Sequence, residues 1–132
     1  MNFLKNIFKE TSSNASENSK EDVKYFELNK MEQFDEMDEI STTKSVVIFK
    51  HSTRCSISRM ALKQFDAAFN YPEEKIDWYL LDLLNHRDLS NEIAHRYNVT
   101  HQSPQILVIQ NGKAVFNASQ DNIAAEDLKQ FT

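Results

Sequence analysis

Two apolar runs in the middle of the chain, residues 45–49 (SVVIF) and 76–84 (IDWYLLDLL), do not alternate regularly between apolar and polar residues. A strand with one face in water alternates, whereas a strand covered on both faces is apolar almost throughout. The segment between the runs carries apolar residues at helical spacing: Ile57, Ala61, Phe65 and Ala68. A strand–helix–strand unit of this kind predicts a parallel sheet with helices on both faces.

The segments on either side of this unit extend the same alternation of strands and helices. Residues 24–28 predict a short strand, and Asn29 with Glu32 predicts a capping box at the start of a helix. The apolar residues of that helix are Met31, Phe34, Met37 and Ile40. After the second apolar run, Asn85 is predicted to cap a helix, whose apolar stripe is Leu89, Ile93 and Tyr97.

The last quarter of the chain predicts a hairpin followed by a helix. Residues 105–109 and 113–116 are apolar runs joined by Asn111-Gly112, a strong hairpin signal that also contains the only glycine. A C-terminal amphipathic helix is indicated by Ala124, Leu128 and Phe131. The predicted order is therefore β-α-β-α-β-α-β-β-α, with a mixed central sheet and helices on both faces. This α/β order is that of the thioredoxin-like fold.

The 132 residues suit one domain, which we place at residues 23–132. Residues 1–22 are predicted to be a flexible tail, because residues 11–22 are strongly polar. Apolar residues near the start share one face of a short helix: Phe3, Leu4, Ile7 and Phe8. Two interpretations stay open for this tail, a frayed terminus or a small docking or membrane-touching helix.

Charge and cysteine content exclude several classes of protein. The net charge of −5 argues against a nucleic-acid binder, and a single cysteine cannot form an internal disulfide. No apolar run is long enough to span a bilayer, and the first ten residues do not form a signal peptide. We therefore expect a cytoplasmic protein without integral membrane association.

The single cysteine, Cys55, follows a buried strand and opens a helix. Amide groups at a helix N-terminus stabilise a negative sulfur, so thiols at this position tend to be nucleophilic. Thr53 and Arg54 precede it, and residues 44–65 contain no acidic side chain. The basic residues of that segment are Lys44, Lys50, Arg54, Arg59 and Lys63. The alternative is a buried, inert cysteine.

Ser58 lies three residues after Cys55, where a dithiol motif has its second cysteine. Serine cannot form a resolving disulfide, but its hydroxyl can donate a hydrogen bond to the Cys55 thiolate. A mixed disulfide on Cys55 must therefore be resolved by an outside thiol. The alternative for Ser58 is an ordinary exposed helix residue.

A second set of candidate residues surrounds Pro104. We predict a cis Ser103–Pro104 peptide bond that faces the nucleophile, with the backbone of Ser103 available to an extended substrate. His51 in the loop before Cys55 and His101 in the proline loop are candidate proton partners. Surface histidines are the alternative for both. No Cys/His cluster has zinc spacing, so we expect no metal or bound cofactor.

Residues 49–58 (FKHSTRCSIS), residues 101–105 (HQSPQ) and the Asn111-Gly112 turn resemble the YtxJ-type redox proteins of the bacillithiol system, or monothiol bacilliredoxins. The resemblance covers residues 24–131. It implies that Cys55 removes bacillithiol, a low-molecular-weight thiol acting as co-substrate, from S-bacillithiolated cytoplasmic proteins. Another thiol system would then recycle Cys55.

The chain departs from that family in two places and from thioredoxins in a third. Ser56 stands where the family often has proline, and residues 119–121 (SQD) lack a histidine that the family often has there. Phe49 occupies the place of the buried acid of thioredoxins. Two other functions stay open: a non-catalytic thioredoxin-fold binding module, and a glutaredoxin-like iron–sulfur cluster carrier that uses glutathione.

Overall fold

The computed structural model describes residues 25–132, which form one mixed α/β domain. The predictions made for residues 1–22 lie outside the described residues. The elements are β1 (Phe26–Glu27), α1 (Gln33–Ile40), β2 (Ser45–His51), α2 (Ser56–Ala68), β3 (Ile76–Asp82), α3 (Arg87–Tyr97), β4 (Gln105–Gln110), β5 (Lys113–Ser119) and the 3₁₀ helices Gln120–Asn122 and Ala125–Phe131.

The five strands form one sheet in the order β1-β3-β2-β4-β5. β3 runs parallel to both β1 and β2, whereas β4 is antiparallel to β2 and to β5. β2 and β3 thus lie inside the sheet, as their apolar sequences predict. The strand order and directions are those of the thioredoxin-like fold.

The two faces of the sheet are covered by separate apolar clusters. Val46 and Ile48 of β2 face one cluster, which packs against the apolar residues of α1 and α3. Val47 and Phe49 face the other, which packs against α2 and the C-terminal 3₁₀ helix. Because side chains alternate along a strand, consecutive residues of β2 enter different clusters. This alternation decides where the polar residues at the end of β2 point.

The hairpin prediction is confirmed. Asn111 and Gly112 both have positive φ, 53° and 74°, as the tightest hairpin turn requires. Backbone amides of both residues bind Ser41 at the end of α1, one to its carbonyl and one to its hydroxyl, each at 2.8 Å. The turn is therefore held by backbone conformation and by contacts with the end of α1.

Both predicted helix caps are wrong. The first helix begins at Gln33 instead of after Asn29, and the Gln33 side chain accepts hydrogen bonds from the amides of Asn29 and Lys30 at 2.7 and 2.8 Å. Asn85 does not cap the following helix, since its side chain donates to the carboxylate of Asp82 at 2.7 Å. Local polar contacts thus replace the expected caps.

Three apolar patterns also differ from prediction. Met31 is 43 % exposed, because it precedes the first turn of α1. On α2, Ile57 and Ala68 are exposed, and the buried face is instead formed by Ser58, Phe65 and neighbouring residues. The C-terminal helix is 3₁₀ rather than α. By contrast, the stripe on α3 is buried as predicted: Leu89, Ile93 and Tyr97.

Candidate active site at the N-terminus of helix α2

Cys55 is the N-cap of α2, as its position after a buried strand predicts, and it is partly exposed. Its amide binds the carbonyl of Ser52 at 3.2 Å, and its own carbonyl accepts from the amide of Arg59 at 3.0 Å. The connection between β2 and α2 is therefore a tight turn of four residues, 52–55. This turn places Cys55 at the N-terminus of α2, where the amides of the first helical turn have no partner within the helix.

Ser58 is fully buried, so the alternative of an exposed helix residue is excluded. Its hydroxyl oxygen lies 2.7 Å from Nδ1 of His51 and accepts a hydrogen bond from the amide of Ser52 at 2.9 Å. We expected this hydroxyl to bind the Cys55 thiolate, but the partners that the structure shows for it are His51 and Ser52. Ser58 thus joins the end of β2 to the first turn of α2.

His51 was predicted to lie in a loop, but it is the last residue of β2 and is buried. Alternation along the strand directs its ring towards α2, which explains the contact with Ser58. Burial lowers the pKa of His51; the carboxylate of Asp82 raises it, and the guanidinium of Arg59 lowers it further. His51 is therefore predominantly neutral near pH 7.

Lys50, which follows the predicted apolar run of residues 45–49, is in β2 and is fully buried on the opposite face of the sheet. Its ammonium lies 2.7 Å from Nδ1 of His101 and donates to Oε1 of Gln105 at 3.0 Å. Burial lowers the pKa of Lys50 to about 8. His101 thus contacts Lys50, and its expected role as a proton partner of Cys55 stays a prediction.

Gln105 connects this buried lysine to the loop before β4. Its side-chain oxygen accepts from the amide of Gln102 at 3.2 Å, and its side-chain nitrogen donates to the carbonyl of Thr100 at 3.1 Å. Sequence reasoning missed the role of Lys50 and Gln105. The one signal was that a lysine and a histidine directly follow an apolar run, which is compatible with a longer strand.

Only some of the basic side chains of residues 44–65 lie near Cys55 in the folded protein. Lys44 lies at the opposite end of β2, where its ammonium contacts Asp77 at 2.9 Å. Lys50 points to the other face of the sheet. Arg54 is exposed beside Cys55, and the Arg59 guanidinium binds the carbonyl of Thr53 at 3.2 Å. Positive charge near the sulfur therefore comes from Arg54 and Arg59.

The proline loop lies at the same end of the sheet as Cys55. Gln105 pairs with Lys50 in the antiparallel register of β4 and β2. Pro104, the residue before Gln105, therefore lies beside the end of β2 at His51. The Ser103–Pro104 peptide bond is cis, as predicted. The carbonyl of Pro104 accepts from the amide of Gln120 at 3.0 Å, which brings the segment that departs from the family pattern to this loop.

Ser103 is half-buried, and its hydroxyl has no hydrogen-bond partner within residues 25–132. The expected pairing of the Ser103 backbone with a substrate stays a prediction. On the other side of Cys55, Ile57 and Met60 are 59 % and 64 % exposed on α2. They are two of the large apolar side chains that the described part of the chain exposes.

Residues 25–132 contain no group of three or more His, Cys, Asp or Glu side chains arranged to hold a metal ion. Over the same residues, no helix has the length and apolar character needed to cross a bilayer.

The fold and the site define a thioredoxin-fold redox protein with a single cysteine at the N-terminus of a helix. Comparison with family models matches residues 26–128 to the family described as monothiol bacilliredoxin BrxC. The match covers most of the chain, so the protein belongs to the monothiol bacilliredoxin family. This family and fold support a function in thiol redox chemistry.

Solved structures agree with this assignment. One, described as a thioredoxin-fold protein with a proposed oxidoreductase function, is 37 % identical, with a TM-score of 0.69 over 81 % of this chain and 92 % of that chain. The thioredoxin of Malassezia sympodialis is 18 % identical, with a TM-score of 0.63 over 80 % and 85 % of the two chains. The thioredoxin of Fasciola hepatica is 19 % identical, with a TM-score of 0.58 over 80 % and 93 %. The two thioredoxins support the fold alone.

Proposed function

We propose that the protein removes bacillithiol from S-bacillithiolated cytoplasmic proteins through Cys55. The observation that carries the proposal is the position of the only cysteine, which is the partly exposed N-cap of α2 in a monothiol bacilliredoxin. With Ser58 at the position of a resolving cysteine, the chain has no second thiol. Exchange with an external thiol is the chemistry that such a site supports.

The proposed exchange has two steps. The Cys55 thiolate attacks the bacillithiol sulfur of the mixed disulfide, so that the protein thiolate leaves and Cys55 carries the bacillithiol. A second low-molecular-weight thiolate then attacks that bacillithiol sulfur, which releases the Cys55 thiolate and a disulfide of the two small thiols. Each step breaks one disulfide bond and forms another, so the net reaction exchanges the mixed disulfide of the protein for a disulfide of the two small thiols, and the second small thiol is the reductant. No resident cofactor is required.

The surface around Cys55 supports this proposal. Arg54 and Arg59 offer positive charge to an anionic small thiol, and neutral or cationic thiols lack that attraction. Ile57 and Met60 expose apolar surface on the same helix, on which the protein part of the substrate can rest. The backbone of Ser103 lies at the same end of the sheet, and we propose that it pairs with an extended segment of that protein.

Mass spectrometry of the reacting protein tests the proposal. The reduced protein is mixed with a carrier protein that bears one bacillithiol mixed disulfide, and in parallel with the glutathione and coenzyme A disulfides of the same carrier. We expect the bacillithiol adduct on Cys55 to form fastest and to disappear when free bacillithiol is added. The Cys55→Ser variant is the matched control and gains no adduct.

Each alternative function has its own outcome in this experiment. Equal rates with all three small thiols would refute bacillithiol as the preferred substrate. No adduct with any of them, although Cys55 reacts with iodoacetamide, would favour a binding module without catalysis. Visible absorbance in the purified protein that is lost in Cys55→Ser would favour an iron–sulfur cluster carrier.

A further inference from the structure

The ammonium of Lys50 is buried without an anion beside it. Lysine is almost never fully buried in a protein unless its charge is paired. The ion pairs among residues 25–132 instead involve Lys44 and Arg96, whereas the ammonium of Lys50 contacts the ring of His101 and the side-chain amide of Gln105. Burial lowers the pKa of Lys50 to about 8, so the lysine is still predominantly charged near pH 7. A buried charge of this kind opposes folding, so stability does not account for a lysine at this position.

The hydrogen bond from Lys50 determines which nitrogen of His101 carries a proton. An ammonium group has three hydrogens and no lone pair, so it can only donate. Nδ1 of His101, which lies 2.7 Å from the ammonium, must therefore accept and carries no proton. Burial and the positive charges of Lys50 and Arg87 lower the pKa of His101, so its ring is predominantly neutral near pH 7. A neutral ring with a bare Nδ1 has its proton on Nε2.

The same ammonium orients the side-chain amide of Gln105. Oε1 of Gln105 accepts from Lys50 at 3.0 Å and from the backbone amide of Gln102 at 3.2 Å, and the side-chain nitrogen donates to the carbonyl of Thr100 at 3.1 Å. An ammonium and a backbone amide can only donate, and a carbonyl can only accept, so all three contacts agree on one orientation of this amide. One buried ammonium is thus linked, directly or through Gln105, to residues 100, 101 and 102.

These contacts enclose the Ser103–Pro104 peptide bond. Gln102 and Gln105 stand on either side of it in the chain, and the Gln105 side chain bonds back to the Gln102 amide. Gln105 is buried, whereas Gln102 is exposed, so the loop is held from its inner side. The conformation of residues 100–104 therefore depends on hydrogen bonds that begin in the core, at the last residue but one of β2.

From these contacts we propose that Lys50 is a positioning residue for the proline loop, residues 100–104. Its ammonium fixes the proton of His101 on Nε2 and holds the Gln105 amide that binds residues 100 and 102. Lys50 acts only through these two side chains and does not contact the substrate. Its effect on exchange rests on the proposed function, in which the backbone of Ser103 in this loop pairs with the protein substrate. Without Lys50, the loop should bind that segment less well.

Nitrogen NMR of the His101 ring tests the first part of the proposal. In the wild type near pH 7 we expect the proton on Nε2 and a bare Nδ1, whereas in Lys50→Met both neutral tautomers become populated because the donor is gone. A proton on Nδ1 in the wild type would overturn the proposal, since that form cannot accept from an ammonium. This outcome needs only the wild-type protein, so it holds even if the variant does not fold. The same tautomer ratio in both proteins would also contradict the proposal.

Hydrogen exchange of single backbone amides tests whether Lys50 holds the loop. In Lys50→Met, exchange of the Gln102 amide should be about tenfold faster than in the wild type, because the ammonium no longer holds the Gln105 side chain that accepts from it. The Gly112 amide, bound to the end of α1 at the opposite end of β4, is the internal reference and should exchange at the wild-type rate. Lys63→Met, at an exposed position of α2, is the matched control variant. Unchanged exchange at Gln102 in Lys50→Met, or equally faster exchange at both amides, would refute a positioning role.

The two steps of the proposed exchange separate loop positioning from general damage to the protein. The first step involves the protein substrate, whereas the second involves only the bacillithiol on Cys55 and a small thiol. Lys50→Met should lower kcat/KM for the carrier mixed disulfide about fivefold and keep kcat/KM for the small thiol within about twofold of the wild type. Equal slowing of both steps would rule out positioning of the loop. If the wild type does not exchange bacillithiol at all, the proposed function fails, and the NMR and hydrogen-exchange results still decide the role of Lys50.

Discussion

Replacing the buried Lys50 with methionine is expected to change how stability depends on pH. The ammonium of Lys50 is fully buried, and its hydrogen-bond partners, His101 and Gln105, are uncharged groups. Burial lowers its pKa from 10.5 to about 8, so the folded protein holds this proton less tightly than the unfolded chain does. Methionine has a similar length and no charge, so it removes this titration.

The size of the effect follows from the two pKa values. One pH unit corresponds to about 1.4 kcal/mol, so the difference between 10.5 and about 8 corresponds to about 3 kcal/mol. Below pH 8 Lys50 is charged in both states and the full cost of burying the charge opposes folding. Between pH 8 and 10.5 only the unfolded chain keeps the proton, so the stability of the wild type rises with pH.

Urea denaturation at several pH values, with a reducing agent present, measures this dependence. From pH 7 to pH 10, the free energy of unfolding of the wild type should rise by about 2 to 3 kcal/mol relative to Lys50→Met. Lys63→Met, at an exposed position of α2, is the control and should show no such relative change. A difference between wild type and Lys50→Met that is constant across this pH range would refute the reasoning.

Three further predictions concern stability and recognition. Gly112→Ala should lower the free energy of unfolding by about 1 kcal/mol in urea, because φ is +74° while the space around a new Cβ is open; no loss would contradict a backbone cause. Phe65→Ala should cost about 3–5 kcal/mol and lower Tm, since Phe65 packs against Phe49 and Trp78 at ring distances of 5.2 and 5.0 Å; a loss below 1 kcal/mol would contradict this. Replacing Ile57 and Met60 together with serine should slow exchange with a protein mixed disulfide about fivefold but leave a small-molecule disulfide unaffected; equal slowing of both would contradict a docking role.

Local patterns in the sequence predicted the elements and their order. Strands inside the sheet show as apolar runs, and the Asn111-Gly112 turn shows because few residues tolerate positive φ. Cys55 could be placed at a helix start because a strand and an amphipathic segment stand on either side of it. Helix boundaries were less certain: the side chain of Gln33 binds the amides of Asn29 and Lys30, and Asp82 binds the side chain of Asn85, so neither asparagine makes the cap that the local pattern predicts.

The polar residues at the end of β2 could not be assigned from the sequence. Lys50 and His51 read as the start of a loop, because polar residues after an apolar run usually mark the end of a strand. Their partners lie outside any local pattern: Lys50 meets His101, which is 51 residues away, and His51 meets Ser58 across a turn. Only the register of β2 with β3 and β4 shows that the strand continues.

The sequence by itself determined the fold class and the position of its single cysteine at the start of a helix, because periodicity, turn chemistry and the cysteine are local properties. Tertiary structure decided what surrounds that nucleophile. Alternation in β2 directs His51 towards Ser58 and Lys50 to the opposite face of the sheet. His51 therefore joins the site of Cys55, and Lys50 contacts His101 and Gln105 beside the proline loop. Hydrogen bonds between distant residues depend on how strands pair, and that pairing exists only in the folded sheet.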